Sequence, residues 1–169
     1  MNDGDYQVDI LDSDGKIVSQ KLRRDIIKGL DIYHAVYCVL VTLEGNIAIS
    51  KIAQRQDMPN LHAGSYGATA ATIKRVNETG DQAMARALKN ELNITAQPEK
   101  LFEQMIDIDN TRRLLAVYTV KSELPTNYSR EDIDEIVVLT PNEFEQLLAD
   151  PDQKTTQALS IFWEEYKKS

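Results

Sequence analysis

The segment Asn77–Ile94 contains two glutamates and an arginine at spacings that suit phosphate chemistry. Glu78 is followed eight positions later by Arg86, and Glu91 lies five positions beyond Arg86. Hydrolysis of a diphosphate requires neutralised phosphate oxygens and an activated water. Mg²⁺ or Mn²⁺ supplies both when one or two carboxylates hold it together with the substrate phosphates. The segment is therefore a candidate for metal-dependent diphosphate hydrolysis.

This spacing resembles the Nudix box, written G-x5-E-x7-R-E-U-x-E-E-x-G-U, in which U is a bulky apolar residue. Five of the nine defined positions match, and they are Glu78, Arg86, Leu88, Glu91 and Ile94. The opening glycine, two of the glutamates and the closing glycine are replaced by Thr72, Ala87, Asn90 and Asn93. The box is therefore degenerate, and two of the four residues that it lacks are acids.

The acids that the box lacks belong to the metal-binding face of the helix in the family. In the family, the three glutamates of R-E-U-x-E-E point into the cleft from one helix face, and their positions here are Ala87, Asn90 and Glu91. The resemblance implies that Glu91 is the catalytic residue and a metal ligand, with Mg²⁺ or Mn²⁺ as cofactor. Asn90 offers only a neutral oxygen, so a second carboxylate would come from outside the box. The acidic candidates there are Glu103, Asp107, Asp109 and Glu135.

Two further features of the box are architectural. The resemblance gives Glu78 and Arg86 a structural role, as an ionic link that ties the loop to the helix. The family has glycines before the box, which let the backbone approach the phosphates, and Ala71 and Thr72 stand there. Because any side chain restricts φ and close approach, we expect the substrate geometry to differ from that of the family.

The resemblance extends beyond the box, from about Val8 to about Tyr166. The strand that begins Tyr33-His34-Ala35-Val36, the turn at Gly45 and the loop with Pro59 are similar to the Nudix subgroup related to isopentenyl-diphosphate isomerase. The family implies an α+β fold, a Nudix-type α/β/α sandwich with a mixed sheet and an N-terminal hairpin. We expect one Nudix-like domain over residues 1–169, with the hairpin at 6–22, the box region at 72–94 and the C-terminal helices at 140–167.

Local patterns predict the elements that position these residues. Asp14-Gly15 between two alternating runs is typical of a hairpin turn. Thr79 with Gln82 predicts a capping box at the start of the box helix, and Met84, Ala85, Leu88 and Leu92 are predicted to form its apolar face. Asn93 is a residue that can end the helix in the left-handed conformation. Thr140-Pro141 with Glu143 predicts the start of another helix.

Composition limits the classes of partner. A net charge of −8 argues against long nucleic acid, and the longest apolar run, Ala35–Val41, is too short to cross a membrane. The acidic N-terminus has no secretory signal, so we expect a cytoplasmic protein whose single cysteine, Cys38, is a buried hydrophobe. A diphosphate would need local cations, and six basic residues are available: Lys51, Arg55, Lys74, Arg75, Arg112 and Arg113.

Three functions are compatible with these residues. The first is a metal-dependent hydrolase that cleaves a nucleoside diphosphate linked to another moiety, with activity weakened by the lost glutamates. The second is a catalytically inactive module that binds a diphosphate ligand or a protein partner. The third is an isopentenyl-diphosphate isomerase, which is least favoured because the family's loop cysteine is missing from Gly64–Thr72. A homodimer is compatible with the sequence, which gives no direct indication of oligomeric state.

Overall fold

A computed structural model of the chain describes residues 5–54, 62–108 and 110–169. Pro59, Arg55 and Asp109, which the sequence singled out, lie outside these ranges. The strands of the described part are β1 Gln7–Leu11, β2 Ile17–Leu22, β3 Tyr33–Val41, β4 Ile47–Ile52, β5 Tyr66–Gly67, β6 Ala70–Ile73, β7 Glu99–Ile108, β8 Thr111–Lys121 and β9 Ile133–Leu139. Its α-helices are α1 Gly80–Ala87, α2 Pro141–Ala149 and α3 Gln157–Tyr166, and a π-helical turn, Leu88–Leu92, extends α1.

The centre of the fold is a parallel pair of strands, β3 and β8, which align from Tyr33 opposite Arg113 to Val41 opposite Lys121. β7 pairs antiparallel with the outer edge of β8, and β4 connects β3 to β5 and β9. The result is a mixed seven-stranded sheet, and β1 and β2 form a separate hairpin. The predicted α+β class, with a mixed sheet and an N-terminal hairpin, is therefore confirmed.

One edge of β3 is shared by two strands that diverge. β6 pairs with the first half of β3, and β4 pairs with its end. The buried side chain of Thr69 occupies the junction: its hydroxyl accepts from the Leu40 amide at 2.9 Å and donates to the Ala48 carbonyl at 2.5 Å. Since buried backbone groups need partners, the threonine replaces the ladder bonds that are lost where the sheet opens.

The two faces of the sheet have separate apolar cores. Val36, Cys38 and Leu40 of β3 face the core that includes α1, whereas Tyr33 and Val39 face the core that includes α2 and α3. Alternate residues of a strand point to opposite faces, so β3 contributes to both cores. This gives the predicted α/β/α sandwich. No helix among the described residues is long and apolar enough to cross a membrane.

The box helix begins as predicted, but one of the residues predicted for its apolar face is exposed. The Thr79 hydroxyl accepts from the Gln82 amide at 3.1 Å and the Gln82 side chain accepts from the Thr79 amide at 2.9 Å, which confirms the capping box. Asn93 ends the π-helical turn in the left-handed conformation, at φ 54°. Ala85 is exposed, so its predicted place on the apolar face was wrong. The neighbouring alanines of the helix, Ala83 and Ala87, are the buried ones.

Candidate functional site

A cavity of about 260 Å³ lies at the divergence of β4 and β6, on the sheet face that α3 covers. Its floor includes Tyr33, Ala35 and Tyr37 of β3, and Ala158 of α3 lines it from above the sheet. The opening of the sheet at Thr69, which also lines the cavity, makes room for it. Ligand sites are typically concave, and the lining of this cavity combines apolar residues with charged and hydroxyl-bearing ones.

Glu91 lines this cavity from the π-helical turn. Its carboxylate accepts a hydrogen bond from the Ala71 amide at 3.1 Å, and Ala71 is the β6 residue opposite Tyr37 of β3. In an α-helix, Ala87 and Glu91 would lie one turn apart on the same face. In this structure the turn that contains Glu91 is π-helical, and Glu91 lines the cavity whereas Ala87 lies in the core.

A second carboxylate, Asp132, lines the same cavity and was not among the sequence candidates. It accepts a hydrogen bond from the Ser129 hydroxyl at 2.8 Å, and its backbone carbonyl accepts from the Ala53 amide at 3.1 Å. The Ser129 amide in turn donates to the backbone carbonyl of Glu91 at 2.7 Å. Ser129 therefore connects the segments that present the two acids. The only sequence indication was an aspartate directly before a strand, which is a weak pattern.

The other candidate ligands lie elsewhere. Asn90 is exposed and does not line the cavity, and Glu135 is exposed on β9 opposite Lys51. Glu103 is paired with Lys100 at 2.9 Å, near the start of α1, on the opposite face of the sheet. No group of three or more His, Cys, Asp or Glu residues in the described part of the chain could hold a metal ion. The carboxylates that the structure brings to one cavity are Glu91 and Asp132.

Two carboxylates are enough for one kind of metal site. Mg²⁺ keeps several waters and commonly binds one or two carboxylates together with substrate phosphates. Glu91 and Asp132 fit that minimum in number, because both residues line one cavity. The fit requires substrate oxygens to complete the coordination. A closed, all-protein metal cage does not match these residues.

The structure places Glu78 and Arg86 in direct contact, outside the cavity. Arg86 Nε lies 2.6 Å from Glu78 Oε1, and its Nη2 lies 3.0 Å from Oε2. The same guanidinium donates to the Ile73 carbonyl at 3.1 Å, and the Arg75 amide donates to Glu78 at 2.9 Å. Burial alone would raise the pKa of Glu78, but these hydrogen bonds hold it below its ordinary value. The pair joins α1 to the end of β6 and to the turn between them.

Cys38 is fully buried on the face of the sheet that α1 covers, and burial raises the pKa of its thiol. It does not line the cavity. An isomerase needs a proton donor and acceptor on either side of the alkene, and a buried, protonated thiol outside the cavity cannot serve as one of them. The structure therefore gives no support to the isomerase hypothesis.

His34 lies on the α1 side of β3, beneath the start of α1. An added Cβ at Gly80 would meet the Tyr118 hydroxyl at 3.0 Å and the His34 ring at 3.4 Å, so the three residues are closely packed. The Tyr118 hydroxyl donates to Asp81 at 2.8 Å. His34 Nε2 is buried without a hydrogen-bond partner, and Glu103 lies 3.9 Å away.

This packing predicts that acid destabilises the protein through His34. Burial lowers the pKa of His34 below its ordinary 6.5, Lys74 and Lys100 act in the same direction, and the opposing charge of Glu103 does not compensate. The unfolded chain therefore binds this proton more readily, so stability is complete above about pH 6.5 and falls as the pH is lowered through that value. Urea unfolding between pH 7 and 5 should show this loss, and His34→Gln should remove it.

Two other variants distinguish this effect from general acid unfolding. Glu103→Gln removes the charge that favours protonation and should extend the loss to lower pH. Glu78 and Asp31 also have lowered pKa values, so their charged forms stabilise the folded state. That stabilisation is lost only below about pH 4.5, outside this window. An identical slope for wild type and His34→Gln between pH 7 and 5 would contradict the assignment.

Comparison with known proteins gives the fold. No family sequence model matches the chain, and no curated protein sequence matches it. Among solved structures, DR0079 from Deinococcus radiodurans is similar with a TM-score of 0.77 and 18% identity, covering 94% of this chain and 97% of that one. A MutT protein from Methanosarcina mazei Go1 has a TM-score of 0.64 and 14% identity, with 81% and 94% covered. A NUDIX hydrolase from Nitrosomonas europaea has a TM-score of 0.62 and 16% identity, with 80% and 88% covered. The chain therefore has the fold of the MutT and Nudix hydrolases.

Proposed function

We propose that this chain is a metal-dependent Nudix-type hydrolase that cleaves a nucleoside diphosphate linked to another moiety. The observation that supports this function best is the presence of Glu91 and Asp132 in one cavity, on the fold of known Nudix hydrolases. Carboxylates of this kind hold Mg²⁺ or Mn²⁺, and Arg23, Lys28 and Arg113 line the same cavity with positive charge. A cavity with both kinds of group can bind a metal and the phosphates of a substrate.

Each carboxylate is held in place by a neighbouring donor. The Ala71 amide donates to Glu91 and the Ser129 hydroxyl donates to Asp132, so each carboxylate is held by a hydrogen bond. Such outer contacts are what keep metal ligands in position. A metal bound there would neutralise phosphate oxygens and lower the pKa of the attacking water. The residues of the chain would bind the metal, position the diphosphate and exclude bulk water from the cavity floor.

We further propose that turnover is slow, and that the chain is closest to the isopentenyl-diphosphate isomerase-like subgroup of the family. The flanking segments support the subgroup. The slow rate is supported by two positions of the box. Ala87 is buried among apolar residues, and Asn90 is exposed outside the cavity. Neither position supplies a charge to the substrate, so fewer groups stabilise the transition state.

The proposal is tested by removing one negative charge at a time. Glu91→Gln and Asp132→Asn each keep an oxygen that can accept the existing hydrogen bond, so the fold should survive. We expect each variant to bind Mn²⁺ roughly 10- to 100-fold more weakly by calorimetry. Release of nucleotide from a panel of nucleoside diphosphate derivatives, with Mg²⁺ and with Mn²⁺, should fall by a similar factor.

Matched variants show whether the effect is specific. Asp134→Asn changes an exposed aspartate two positions from Asp132 and should leave metal binding and turnover unchanged. Glu103→Gln and Glu135→Gln test the remaining sequence candidates, and we expect little effect because neither lines the cavity. A Glu91→Gln variant with the metal affinity and hydrolysis rate of the wild type would contradict the proposed role of that residue. Loss of metal binding in Glu103→Gln or Glu135→Gln would place the metal elsewhere.

A binding module without turnover is the second candidate function. The absence of a carboxylate at Ala87 and at Asn90 is the observation that favours it. This function predicts that calorimetry detects binding of a nucleoside diphosphate derivative while no product forms with either metal. A calorimetric trace without heat across the whole panel would argue against it. Metal-dependent product release that Glu91→Gln abolishes would replace it with the hydrolase.

A further inference from the structure

Arg113 is a buried cation on the cavity wall. The residue is only 8% exposed and lines the cavity at the start of β8, beside Tyr33 of β3. Within the described part of the chain, no carboxylate lies within ion-pair distance of its guanidinium. Burying a charge without an opposite charge is costly, so proteins normally pair buried arginines with acids. The lack of an acid at this position requires an explanation.

The neighbouring residue, Arg112, differs from Arg113 in both exposure and ion pairing. The Arg112 side chain is 40% exposed and forms an ion pair with Asp107 at 3.2 Å. Arg112 does not line the cavity. The solvated arginine therefore has a carboxylate partner, and the buried one next to it has none in the described residues. This arrangement is the reverse of what packing and solvation alone would favour.

The contacts of Arg113 orient the guanidinium but do not neutralise it. Nη1 donates to the Tyr37 hydroxyl at 3.0 Å, Nε donates to the Thr111 hydroxyl at 3.1 Å, and the guanidinium lies 5.4 Å from the centre of the Tyr33 ring. All three partners are neutral. A guanidinium has five N–H donors, and these two hydrogen bonds leave three donors for another acceptor. An oriented guanidinium with spare donors is a typical receptor for a carboxylate or a phosphate.

Two more cations line the same cavity. Arg23 is half-buried and Lys28 is exposed, and both belong to the segment that connects β2 to β3. Neither forms an ion pair with a described residue. That segment has two acids: Asp31 is bound to Lys21 at 2.8 Å, and Asp25 is exposed and forms no ion pair with a described residue, so neither neutralises them. Three positive side chains therefore share the cavity with the carboxylates Glu91 and Asp132.

The charges of the cavity do not balance for a plain diphosphate ester. Glu91 and Asp132 together carry two negative charges, which a divalent metal ion at the proposed site would match. Three positive side chains remain, whereas the diphosphate of a diester carries two negative charges. A ligand with one additional anionic group would therefore match the described cations of the cavity.

We infer that Arg113, with Arg23 and Lys28, forms an anion-binding subsite of the cavity. The substrate is then a diphosphate ester that has an additional carboxylate or phosphate. The assignment of the substrate rests on the proposed hydrolase function, and the anion subsite itself does not. A bound anion supplies the opposite charge that the buried guanidinium lacks.

The subsite is tested with inorganic phosphate as the probe and without metal. Thermal unfolding of wild type, Arg113→Gln and Arg112→Gln is followed as phosphate is added, against potassium chloride at the same ionic strength to account for screening. We expect equal phosphate affinity for wild type and Arg112→Gln, and an apparent Kd at least about tenfold higher for Arg113→Gln, because hydrogen bonds to charged groups contribute that much. For each variant, the unfolding midpoint with phosphate is compared with the midpoint of the same variant without phosphate, so a lower starting stability does not affect the result.

The outcomes separate a binding site from a structural arginine. If Arg113 only supports Tyr37 and Thr111, Arg113→Gln lowers stability but keeps the wild-type response to phosphate, and the inference is overturned. Arg113→Lys keeps the charge without the planar fork and should bind phosphate with intermediate affinity. It also serves as the test variant if Arg113→Gln does not fold. A wild type that responds to phosphate no more than to chloride overturns the subsite as well.

The substrate class is tested with two probes that differ by one charge, UDP-glucose and UDP-glucuronate, in the presence of Mg²⁺. We expect kcat/KM to favour the carboxylate-bearing probe by about tenfold, and Arg113→Gln, but not Arg112→Gln, to remove the preference. Equal turnover of both probes overturns the substrate class. No turnover of either probe overturns the substrate class alone, because the wider panel with Mg²⁺ and Mn²⁺ decides the hydrolase and the phosphate titration decides whether Arg113 binds anions.

Discussion

Replacing Arg86 by methionine should lower the free energy of unfolding by about 2–4 kcal/mol, because it leaves a mostly buried Glu78 without its opposite charge. The side chains of both residues are 18% exposed, and the pair is bidentate. Methionine keeps much of the side-chain volume, so the loss reports the charge and its hydrogen bonds. For a domain of this size, the midpoint of thermal unfolding should fall by roughly 4–16 °C.

A double-mutant cycle separates the pair from its surroundings. Glu78→Gln removes the charge that Arg86 neutralises, and the variant with both changes leaves no unpaired charge. We expect the double variant to be more stable than the sum of the two single losses predicts. Lys89→Met is the matched control, since Lys89 is an exposed cation on the same helical segment. Additive losses, or an Arg86→Met variant as stable as the Lys89→Met control, would contradict a stabilising ion pair.

Restoring the missing box glutamate by Ala87→Glu should destabilise the protein by at least about 3 kcal/mol. Ala87 is 2% exposed and packs with Met84, Leu88 and other apolar residues against the sheet. A glutamate there adds volume and a carboxyl group to an apolar site. The pKa of that carboxyl would be raised in the folded state, so the penalty should grow as the pH rises above about 4.3.

Ala85→Glu is a close control for this prediction. It makes the same substitution on the same helix, at a position that the structure places at the surface. Its effect on stability should be within about 0.5 kcal/mol. Urea unfolding of both variants at pH 5 and pH 8 gives the comparison. If Ala87→Glu is as stable as Ala85→Glu and also accelerates diphosphate hydrolysis, the cavity extends to position 87, and the proposed reason for slow turnover is wrong.

Local chemistry made part of this fold predictable. The capping boxes at Thr79 and Thr140 involve side chains and amides three residues apart, and both were predicted from their residue types. Asn93 and Gly15 adopt positive φ, at 54° and 85°, where the sequence predicted a helix end and a hairpin turn. Such features depend on a few adjacent residues, so a single sequence is enough to identify them.

The composition of the cavity depends on contacts that the sequence does not show. Asp132 reaches the cavity because β9 pairs with β4 and the segment before β9 bonds to the π-helical turn. Arg112 and Arg113 were equivalent as sequence candidates, and only the orientation of β8 separates the exposed residue from the buried one. The π-helical turn that contains Glu91 has no simple residue pattern. These features follow from long-range packing, which propensity and spacing do not describe.

The register of the central parallel pair has a consequence for how the chain reaches its fold. Tyr33 pairs with Arg113, which lies 80 positions further along the chain. At 5–20 residues per second, a ribosome needs about 4–16 s to add those residues. During that time the edge of β3 that later binds β8 has no partner strand, and such an edge can associate with other chains. Closing so long a loop is also slow, so we expect the docking of β8 on β3 to limit the folding rate. Apolar residues of β3 such as Val36 and Val39 become buried only when β8 has docked.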